Sequence, residues 1–326
     1  MILLDSDLTV RVAHKPFTAN IGSNNKEEFG YGSIVISVRE QSMSSTELYQ
    51  KLRSVASTHN VTFYSVGTGM TPSGIDLGST NINPIDKPEV AMVVGEGTSS
   101  YEVGEAWFLL NKHVGMEVTK LRSQQFGRTD LQRYNTIVLV DGNYSDWDEN
   151  AVEKLNRWVN SGGVLITNED ASKWAIEKEL VSEDLIKSFE EDTTSKKRYD
   201  YEEQSDRWRA KTIPGTILEA DIDPSNPIAF GVPDRRQLFI KSSDLFLKQS
   251  ENPYGTVAQY LDEPFVGGYI NDENLEKVSG TSAIVVRSEG KGNVVLFADD
   301  PNFRSYWHTT SRLFLNAIFF GQNLNL

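Results

Sequence analysis

The chain has 326 residues, enough for one large or two smaller domains, and its 38% hydrophobic and 24% charged residues are typical of a globular protein. A net charge of −14 disfavours a nucleic-acid partner, which requires a basic surface, and the absence of cysteine excludes thiol catalysis, disulfides and thiolate metal sites. No apolar run approaches the roughly 20 residues that span a bilayer. No signal peptide opens the sequence, because Asp5 and Asp7 interrupt the first apolar residues.

Residues 1–86 predict a small α/β unit that ends in a linker rich in glycine and proline. Ser44 and Glu47 form the N-terminal capping pattern of a helix. Strands are predicted before and after this helix, at 8–13, 33–38 and 61–66. No motif in this unit demands a particular chemistry.

Residues 87–326 alternate between apolar strands and helices, which predicts an α/β fold with a flavodoxin-like, doubly wound parallel sheet. The strands are predicted at 90–94, 117–121, 136–140, 164–167, 216–222, 256–261, 282–286 and 293–298. The helices are predicted at about 101–111, 149–160, from 171 onward and at 305–320. A charged insertion at 182–212 interrupts this alternation, and we interpret it as a solvated helix or mobile insertion rather than a binding patch.

Polar side chains follow the predicted strands at their carboxyl ends, where a doubly wound sheet binds its ligands. They form a candidate binding cleft for a polar small molecule, a peptide end or a sugar, and they are Glu96, Ser99, Asn143, Tyr144, Asn168, Asp170, Asp299, Asn302 and Arg304. The alternative is that serine, aspartate and asparagine only cap helices and satisfy loop backbone here. Glu96 and Arg304 are the least explained by capping, so they lead the cleft hypothesis.

Other chemistry at these strand ends has partial support in the sequence. Oxygen ligands for Ca²⁺ or Mg²⁺ occur without the spacing of an EF-hand, and they are Asp141, Asp170, Asp299 and Asp300. Gly95 and Gly97 lack the third glycine of a dinucleotide fingerprint. His308 is a candidate base, and Trp147 and Trp174 are candidates for stacking on a sugar, although packing is the more common role of such residues.

Five phrases stand out along the chain, and they are Gly74-Ile75-Asp76-Leu77-Gly78-Ser79, Gly95-Glu96-Gly97-Thr98-Ser99-Ser100-Tyr101, Gly104-Glu105-Ala106-Trp107, Asn252-Pro253-Tyr254 and the run from Gly290 to Arg304. In this order they resemble the C-terminal region of bacterial M14-type zinc-carboxypeptidase-like proteins, which carry a class I glutamine-amidotransferase-like domain after their peptidase domain. The resemblance implies an amidotransferase-like fold, a secreted or periplasmic location and an upstream peptidase domain as partner. We therefore expect the natural protein to continue upstream of Met1.

The residues that carry the chemistry of these families are missing from the matching positions of this chain. M14 peptidases hold zinc with a His-x-x-Glu pair and a distant histidine, and none of the four histidines here has a glutamate three residues on. Zinc is expected only in the upstream domain, and no cofactor is expected in this chain. Class I amidotransferases use a cysteine nucleophile with histidine and glutamate. Here Asn168 stands near the nucleophile position, and 299–302 reads Asp-Asp-Pro-Asn in place of His-Pro-Glu.

These observations predict a non-catalytic accessory or binding module of a larger zinc-carboxypeptidase-like protein. The alternative is a hydrolase or small-molecule-binding domain that uses a cleft formed by Glu96, Asn143, Asn168, Asp299 and Arg304. An accessory module predicts an apolar patch for its partner and a filled cleft. A retained enzyme predicts an open pocket with a nucleophile or metal and at least one perturbed titrating group.

Overall fold

The computed structural model describes residues 1–22, 25–186 and 198–324. The chain divides into two compact units, of which the first comprises Met1–Lys87 and Pro224–Gly231 and the second the remainder. Within the described residues, no helix combines the length and apolarity needed to cross a membrane.

The part of the first unit that the structure describes contains two small antiparallel sheets and one α-helix. Its elements are β1 (Arg11–Ala13), β2 (Phe17–Ile21), β3 (Asn25–Phe29), β4 (Ile34–Val35), α1 (Ser45–His59), β5 (Ser73–Gly74) and β6 (Ile82–Pro84). The sheet orders are β4-β1-β6 and β3-β2-β5. Alternate side chains of a strand point to opposite faces, and a small core forms where Ala13, Phe17, Ala19 and Ile82 meet.

The helix of the first unit begins as the sequence predicts, whereas the strand after it is absent. Glu47 N donates to Ser44 Oγ at 3.3 Å and Ser44 N donates to Glu47 Oε2 at 2.9 Å, which is a complete capping box. The strand predicted at 61–66 is wrong. Only Val66 forms a β-bridge, and Val61 and Tyr64 are exposed, so this β-branched run has no buried surface to fit.

The segment that returns to the first unit from later in the chain contributes an aromatic side chain. Phe230 lies 5.4 Å from the ring of His14 in an edge-on contact and 6.2 Å from the ring of Tyr31 in a stacked one. A Cβ on Gly32, whose φ is +77°, would lie 2.6 Å from Phe230 Cβ. The close approach of Phe230 therefore requires glycine at position 32.

Among its described residues, the second unit contains eleven further strands and six α-helices. Its strands are β7 (Val90–Val94), β8 (Val118–Arg122), β9 (Thr136–Leu139), β10 (Val164–Asn168), β11 (Leu185–Ile186), β12 (Thr216–Ile222), β13 (Arg236–Lys241), β14 (Phe246–Leu247), β15 (Thr256–Gly267), β16 (Ser282–Glu289) and β17 (Gly292–Phe297). Its helices are α2 (Ser100–Trp107), α3 (Glu149–Asn160), α4 (Asp170–Glu177), α5 (Gln204–Lys211), α6 (Asp272–Val278) and α7 (His308–Phe320).

The strands of the second unit form one mixed sheet whose main path is β13-β12-β15-β16-β17-β10-β9-β7-β8. The five strands from β17 to β8 are parallel, and numbered along the chain they lie in the order 2-1-3-4-5. This is the flavodoxin-like order, so the predicted fold class is confirmed. Beyond β17 the sheet continues antiparallel.

Helices cover both faces of the parallel strands. On one face α3 and α4 pack with the side chains of Ile137, Leu165 and Val294. On the other face Phe314 of α7 lies 6.3 Å from Phe297 of β17. The sheet is therefore doubly wound, and the carboxyl ends of β7, β9, β10 and β17 lie along one edge.

The charged insertion predicted at 182–212 is described only in part. Its first described element is β11, which pairs with β14, and its last is the exposed helix α5. Residues 187–197 of the insertion lie outside the described residues.

Candidate functional site

The carboxyl ends of the parallel strands bring six carboxyl side chains together. Two come from helix α2, one follows β9, one follows β10 and two follow β17. We call this set the carboxyl cluster, and its members are Glu102, Glu105, Asp141, Glu169, Asp299 and Asp300. The cluster lies where a doubly wound sheet places its ligand sites.

The centre of the cluster is a buried contact between α2 and the two middle strands. Glu102 is 6% exposed, and its Oε2 accepts hydrogen bonds from Asp141 N at 2.9 Å and Asn168 Nδ2 at 3.3 Å. Asp141 Oδ1 accepts from Asp170 N at 3.2 Å. One carboxylate oxygen from each of Glu102, Asp141 and Glu169 lies within 4.8 Å of the other two.

The turn between β10 and α4 consists of one strained residue. Glu169 has φ 46° and ψ −120°, a conformation that costs a non-glycine residue about 1–3 kcal/mol. In α/β hydrolases such a strand–turn–helix elbow presents the nucleophile. Asn168 is the last residue of β10 and Glu169 forms the elbow, so Asn168 stands near this position, one residue before it.

Hydrogen bonds hold the Glu169 elbow in place. Its Oε1 accepts from Ser242 Oγ at 2.8 Å and from Asp300 N at 3.2 Å. Its backbone N–H donates to the Phe297 carbonyl of β17 at 3.0 Å. The elbow carboxyl thus has its partners inside the fold.

Substituting glycine and alanine at position 169 measures the strain directly. Both variants lose the same carboxyl, but only alanine keeps a Cβ at a positive φ. We expect Glu169→Gly to be more stable than Glu169→Ala by about 1–3 kcal/mol in urea unfolding. At the exposed helical control position Glu153 the order should reverse, because glycine costs about 0.5–1 kcal/mol relative to alanine there. Equal stability of the two position-169 variants would contradict the strain.

A second pair of carboxyl groups ties the loop after β17 to α2. The side chains of Asp300 and Glu105 share a hydrogen bond, which requires a proton on one of them. Asp300 Oδ1 also accepts from Asn302 N at 2.8 Å, and Glu105 Oε1 accepts from Arg304 N at 2.9 Å. Both acids therefore anchor the backbone of this loop.

Burial keeps several of these acids protonated at neutral pH. It raises the pKa of Glu102 to about 8 and that of Glu169 to about 9, with nearby carboxylates adding to the effect. Burial, followed by the hydrogen bond to Glu105, raises the pKa of Asp300 to about 10. The pKa of Asp141 is also raised, chiefly by burial. The folded chain therefore keeps protons bound to these carboxyl groups at neutral pH.

Asp299 has a different environment from the other members, because it is ion-paired. Lys241 is fully buried, and its Nζ donates to Asp299 Oδ1 at 3.2 Å and to the Leu245 carbonyl at 2.7 Å. Tyr260 Oη donates to Asp299 Oδ2 at 2.5 Å, and burial holds the pKa of this tyrosine well above its usual range. Asp299 is therefore part of a satisfied buried network.

Three of the predicted cleft residues serve local structure. Ser99 is the N-cap of α2, where its Oγ accepts from Glu102 N at 3.5 Å. Asn143 Oδ1 accepts from the backbone N–H two residues on, at 2.9 Å. Tyr144 is buried, and its hydroxyl donates to a carbonyl four residues earlier at 2.8 Å. These contacts are the capping and loop roles that polar residues take at such positions.

The remaining predicted residues divide between the surface and the interior. Glu96 is exposed and accepts from Gln124 Nε2 at 3.0 Å, and Asp170 and Arg304 are also exposed. Asn302 is 1% exposed, and neither polar atom of its side chain has a partner among the described residues. The structure therefore does not bring the nine residues to one surface.

The structure also locates the two tryptophans proposed for stacking on a sugar and the histidine proposed as a base. Trp147 and Trp174 are buried and lie 5.3 Å and 5.5 Å from the ring of Tyr144, so they are core residues and present no face to a sugar. His308 is exposed at the first position of α7.

The sequence prediction missed the three glutamates of the cluster. Glu102 follows Ser99 at the spacing of a capping pattern, and such a glutamate is usually exposed. The available signal was the i, i+3 spacing of Glu102 and Glu105, which places them side by side on α2. Glu169 was passed over although it lies between two selected residues, Asn168 and Asp170.

A small cavity adjoins the part of the cluster that follows β17. A cavity of about 10 Å³, lined by residues that include Phe239, Phe297 and Asp300, has room for about one water molecule. A larger surface depression of about 380 Å³ is lined by residues outside the cluster, and they are Glu251, Asn252, Arg287 and Ser288.

Comparisons with known proteins add no assignment to this geometry. No protein-family model matches the chain, and no curated protein matches it. Solved structures of similar shape include a ThuA-like protein from Parabacteroides merdae, with 13% identity over 72% of this chain and 90% of that one at a TM-score of 0.46. PurLQS from Thermotoga maritima has 15% identity over 71% and 97% at a TM-score of 0.45. An exo-β-1,4-mannosidase from an Opitutaceae bacterium has 14% identity over 71% of this chain but 36% of its own, at a TM-score of 0.41. Likenesses of this size leave family and activity open.

Proposed function

We propose that the second unit is a non-catalytic binding module on an amidotransferase-like scaffold, and that it serves a longer zinc-carboxypeptidase-like polypeptide as an accessory part. The observation that supports the non-catalytic role is the identity of the residue at the elbow. Where the scaffold presents a nucleophile, this chain has Glu169, a carboxyl group that burial keeps protonated.

The surroundings of Glu169 argue against nucleophilic chemistry. A nucleophile is activated by an adjacent base or by a lowered pKa. The neighbours of Glu169 in the cluster are acids, and they raise its pKa instead. One of its oxygens already accepts two hydrogen bonds from Ser242 and Asp300. A carboxyl group that is protonated and already hydrogen-bonded is a poor nucleophile. Its hydrogen bonds support a structural role.

The accessory role has support from the sequence resemblance and from one part of the surface. Phe265, Val266 and Tyr269, at and just beyond the end of β15, are each about half exposed at 47%, 51% and 49%. Exposed large apolar side chains that follow one another in the chain are a feature of surfaces that contact another protein. It fits a module whose partner is another domain.

Two measurements test the two halves of the proposal separately. For the first, release of ammonia from glutamine is measured for the wild-type chain and for Glu169→Gln. We expect no turnover above background in either, and turnover that disappears in Glu169→Gln would overturn the non-catalytic role.

For the second half, the source gene is sequenced upstream of the Met1 codon. We expect an in-frame extension that encodes a His-x-x-Glu zinc motif. A stop codon directly upstream would remove the partner and with it the accessory role.

A further inference from the structure

We propose that the outer edge of β8 is a docking site for an extended acidic segment of another protein, which adds to the sheet as a further strand. The strand β8 is the last one on the main path of the sheet, and β7 is its neighbour on that path. The proposed function rests on Glu169 and on the end of β15, and it requires no partner at this edge.

The backbone of β8 is open on its outer side. An edge strand presents a row of N–H and C=O groups that its single neighbour does not reach. Within the described residues, no group outside the ladder to β7 hydrogen-bonds to the backbone of Val118–Leu121. An extended segment of another protein can therefore pair with this backbone, which is the mode of recognition by strand addition.

The part of the chain around β8 is basic, although the protein as a whole is acidic. Residues 112–133 contain five lysines and arginines against two carboxylates, whereas the whole chain has a net charge of −14. In the part of the chain that the structure describes, none of these five side chains forms an ion pair. Because opposite charges face each other across protein interfaces, these unpaired cations indicate an acidic partner.

Two of these cations are held beside one aromatic ring. The Nζ atoms of Lys120 and Lys112 lie 5.3 Å and 5.4 Å from the centroid of the Trp107 ring, which is the range of a cation–π contact. Trp107 is the last residue of α2 and is half-buried, so the fold fixes its ring. The contact leaves both positive charges without a counter-charge. Cations held in this way lose less side-chain freedom when they bind a carboxylate.

The alternation of side chains along β8 specifies the chemistry of the incoming strand. Val118, Lys120 and Arg122 lie on one face of the sheet, and Thr119 and Leu121 lie on the other. A strand that pairs with β8 places its own alternate side chains beside these two sets. The segment that fits best therefore carries acids at every second position, with β-branched residues such as threonine or valine in between.

Lysine on an edge strand also serves to prevent pairing between the edges of two copies of a protein. The basic charges of β8 repel the same edge of a second copy, but they attract an acidic strand. The charges therefore select the partner and do not close the edge to every strand.

The test measures binding of the labelled peptide Glu-Thr-Glu-Val-Glu-Thr-Glu to the full chain by fluorescence anisotropy. Hydrogen exchange, followed by mass spectrometry, reports whether the peptide protects the backbone of residues 118–122. We expect a dissociation constant between about 10⁻⁵ and 10⁻³ M, as for a small interface, together with slower exchange at 118–122.

The double variant Lys120→Gln/Arg122→Gln removes the two cations of β8. We expect its dissociation constant to rise about 2–30-fold, which is the effect of two opposite-charge pairs across a sheet. Both side chains are exposed, so the variant should fold. The matched control is Lys173→Gln/Lys178→Gln, which removes two exposed cations at α4 and should bind the peptide as the wild type does.

Two control peptides separate strand pairing from charge. Glu-Pro-Pro-Glu-Pro-Glu-Glu keeps the four carboxylates but lacks N–H donors on both edges of an extended strand. Gln-Thr-Gln-Val-Gln-Thr-Gln keeps the backbone donors but lacks the charges. Each should bind more weakly than the acidic peptide, and neither should slow exchange at 118–122 to the same extent.

Several results would overturn the proposal. They are no binding of the acidic peptide at about 1 mM, binding without protection of 118–122, equal affinity for the proline peptide, and an equal loss in the α4 control. Protection of 118–122 that appears without peptide and grows with protein concentration would also overturn it, because a second copy of the chain would then occupy the edge. None of these results bears on glutamine turnover or on the upstream gene sequence, so the proposed function is tested separately.

Discussion

Raising the pH from 5 to 8 will destabilise the second unit, by about 1 kcal/mol or more per pH unit, because cluster carboxyls that stay protonated in the folded state ionise on unfolding. Glu102, Glu169 and Asp300 have folded pKa values of about 8, 9 and 10, against ordinary values of 4.5, 4.5 and 3.8. Between these limits the folded chain binds more protons than the unfolded chain. The stabilisation is complete below about pH 4 and is lost as the pH rises through the folded values.

The measurement is the free energy of unfolding in urea at pH 5, 6, 7 and 8, at constant ionic strength. The control is Glu102→Gln, which cannot ionise and keeps the acceptor for Asp141 N. We expect this variant to exceed the wild type by about 2–3 kcal/mol at pH 8 and to differ little at pH 5. A wild-type stability that is flat or rises over this range would refute the protonated cluster.

Replacing Lys241 with methionine will cost about 3–5 kcal/mol of stability. The side chain is fully buried, and its removal leaves the Asp299 carboxylate without its counter-charge. Urea unfolding at pH 7 measures the loss. The matched control is Lys248→Met, because Lys248 pairs with Asp184 at the surface and such pairs contribute about 0–1 kcal/mol.

A double-mutant cycle separates the ion pair from simple packing. If the pair carries the effect, adding Asp299→Asn to Lys241→Met should cost less than the sum of the two single substitutions, because no charge is then left unpaired. Two results would contradict a stabilising ion pair. One is that the losses of unfolding free energy are additive in the double variant. The other is that Lys241→Met costs no more stability than Lys248→Met.

Much of the second unit could be predicted because its signals are local. Val90–Val94 is a continuous apolar run, as strands buried on both faces are. Helix α3 has the predicted bounds, since Asp148 caps its start and Gly162 follows its end. By contrast, β3 escaped prediction because Lys, Glu and Glu occupy its middle, and only pairing with β2 makes it a strand.

The sequence analysis looked for a site at the carboxyl ends of the strands, but it did not identify all the residues that form the cluster. The strand order places the carboxyl ends of β9 and β10 together, so Asp141 and Asn168 could be selected from the sequence. Glu102 could not, because its burial depends on the packing of α2 against strands that are distant in the chain. Glu169 was not selected as the elbow residue, since the end of β10 is defined by hydrogen bonds and is not marked in the sequence.

The return of Phe230 to the first unit has a consequence for how the chain acquires its structure. During synthesis the first 87 residues leave the ribosome long before residues 224–231, which complete that unit. The strands β7 to β12 emerge in between. The amino-terminal unit must therefore wait for its last aromatic side chain, or start with a gap beside His14 and Tyr31 that is filled later. A fragment cut at residue 87 would keep that gap permanently, so the boundary along the chain is not the boundary of the fold.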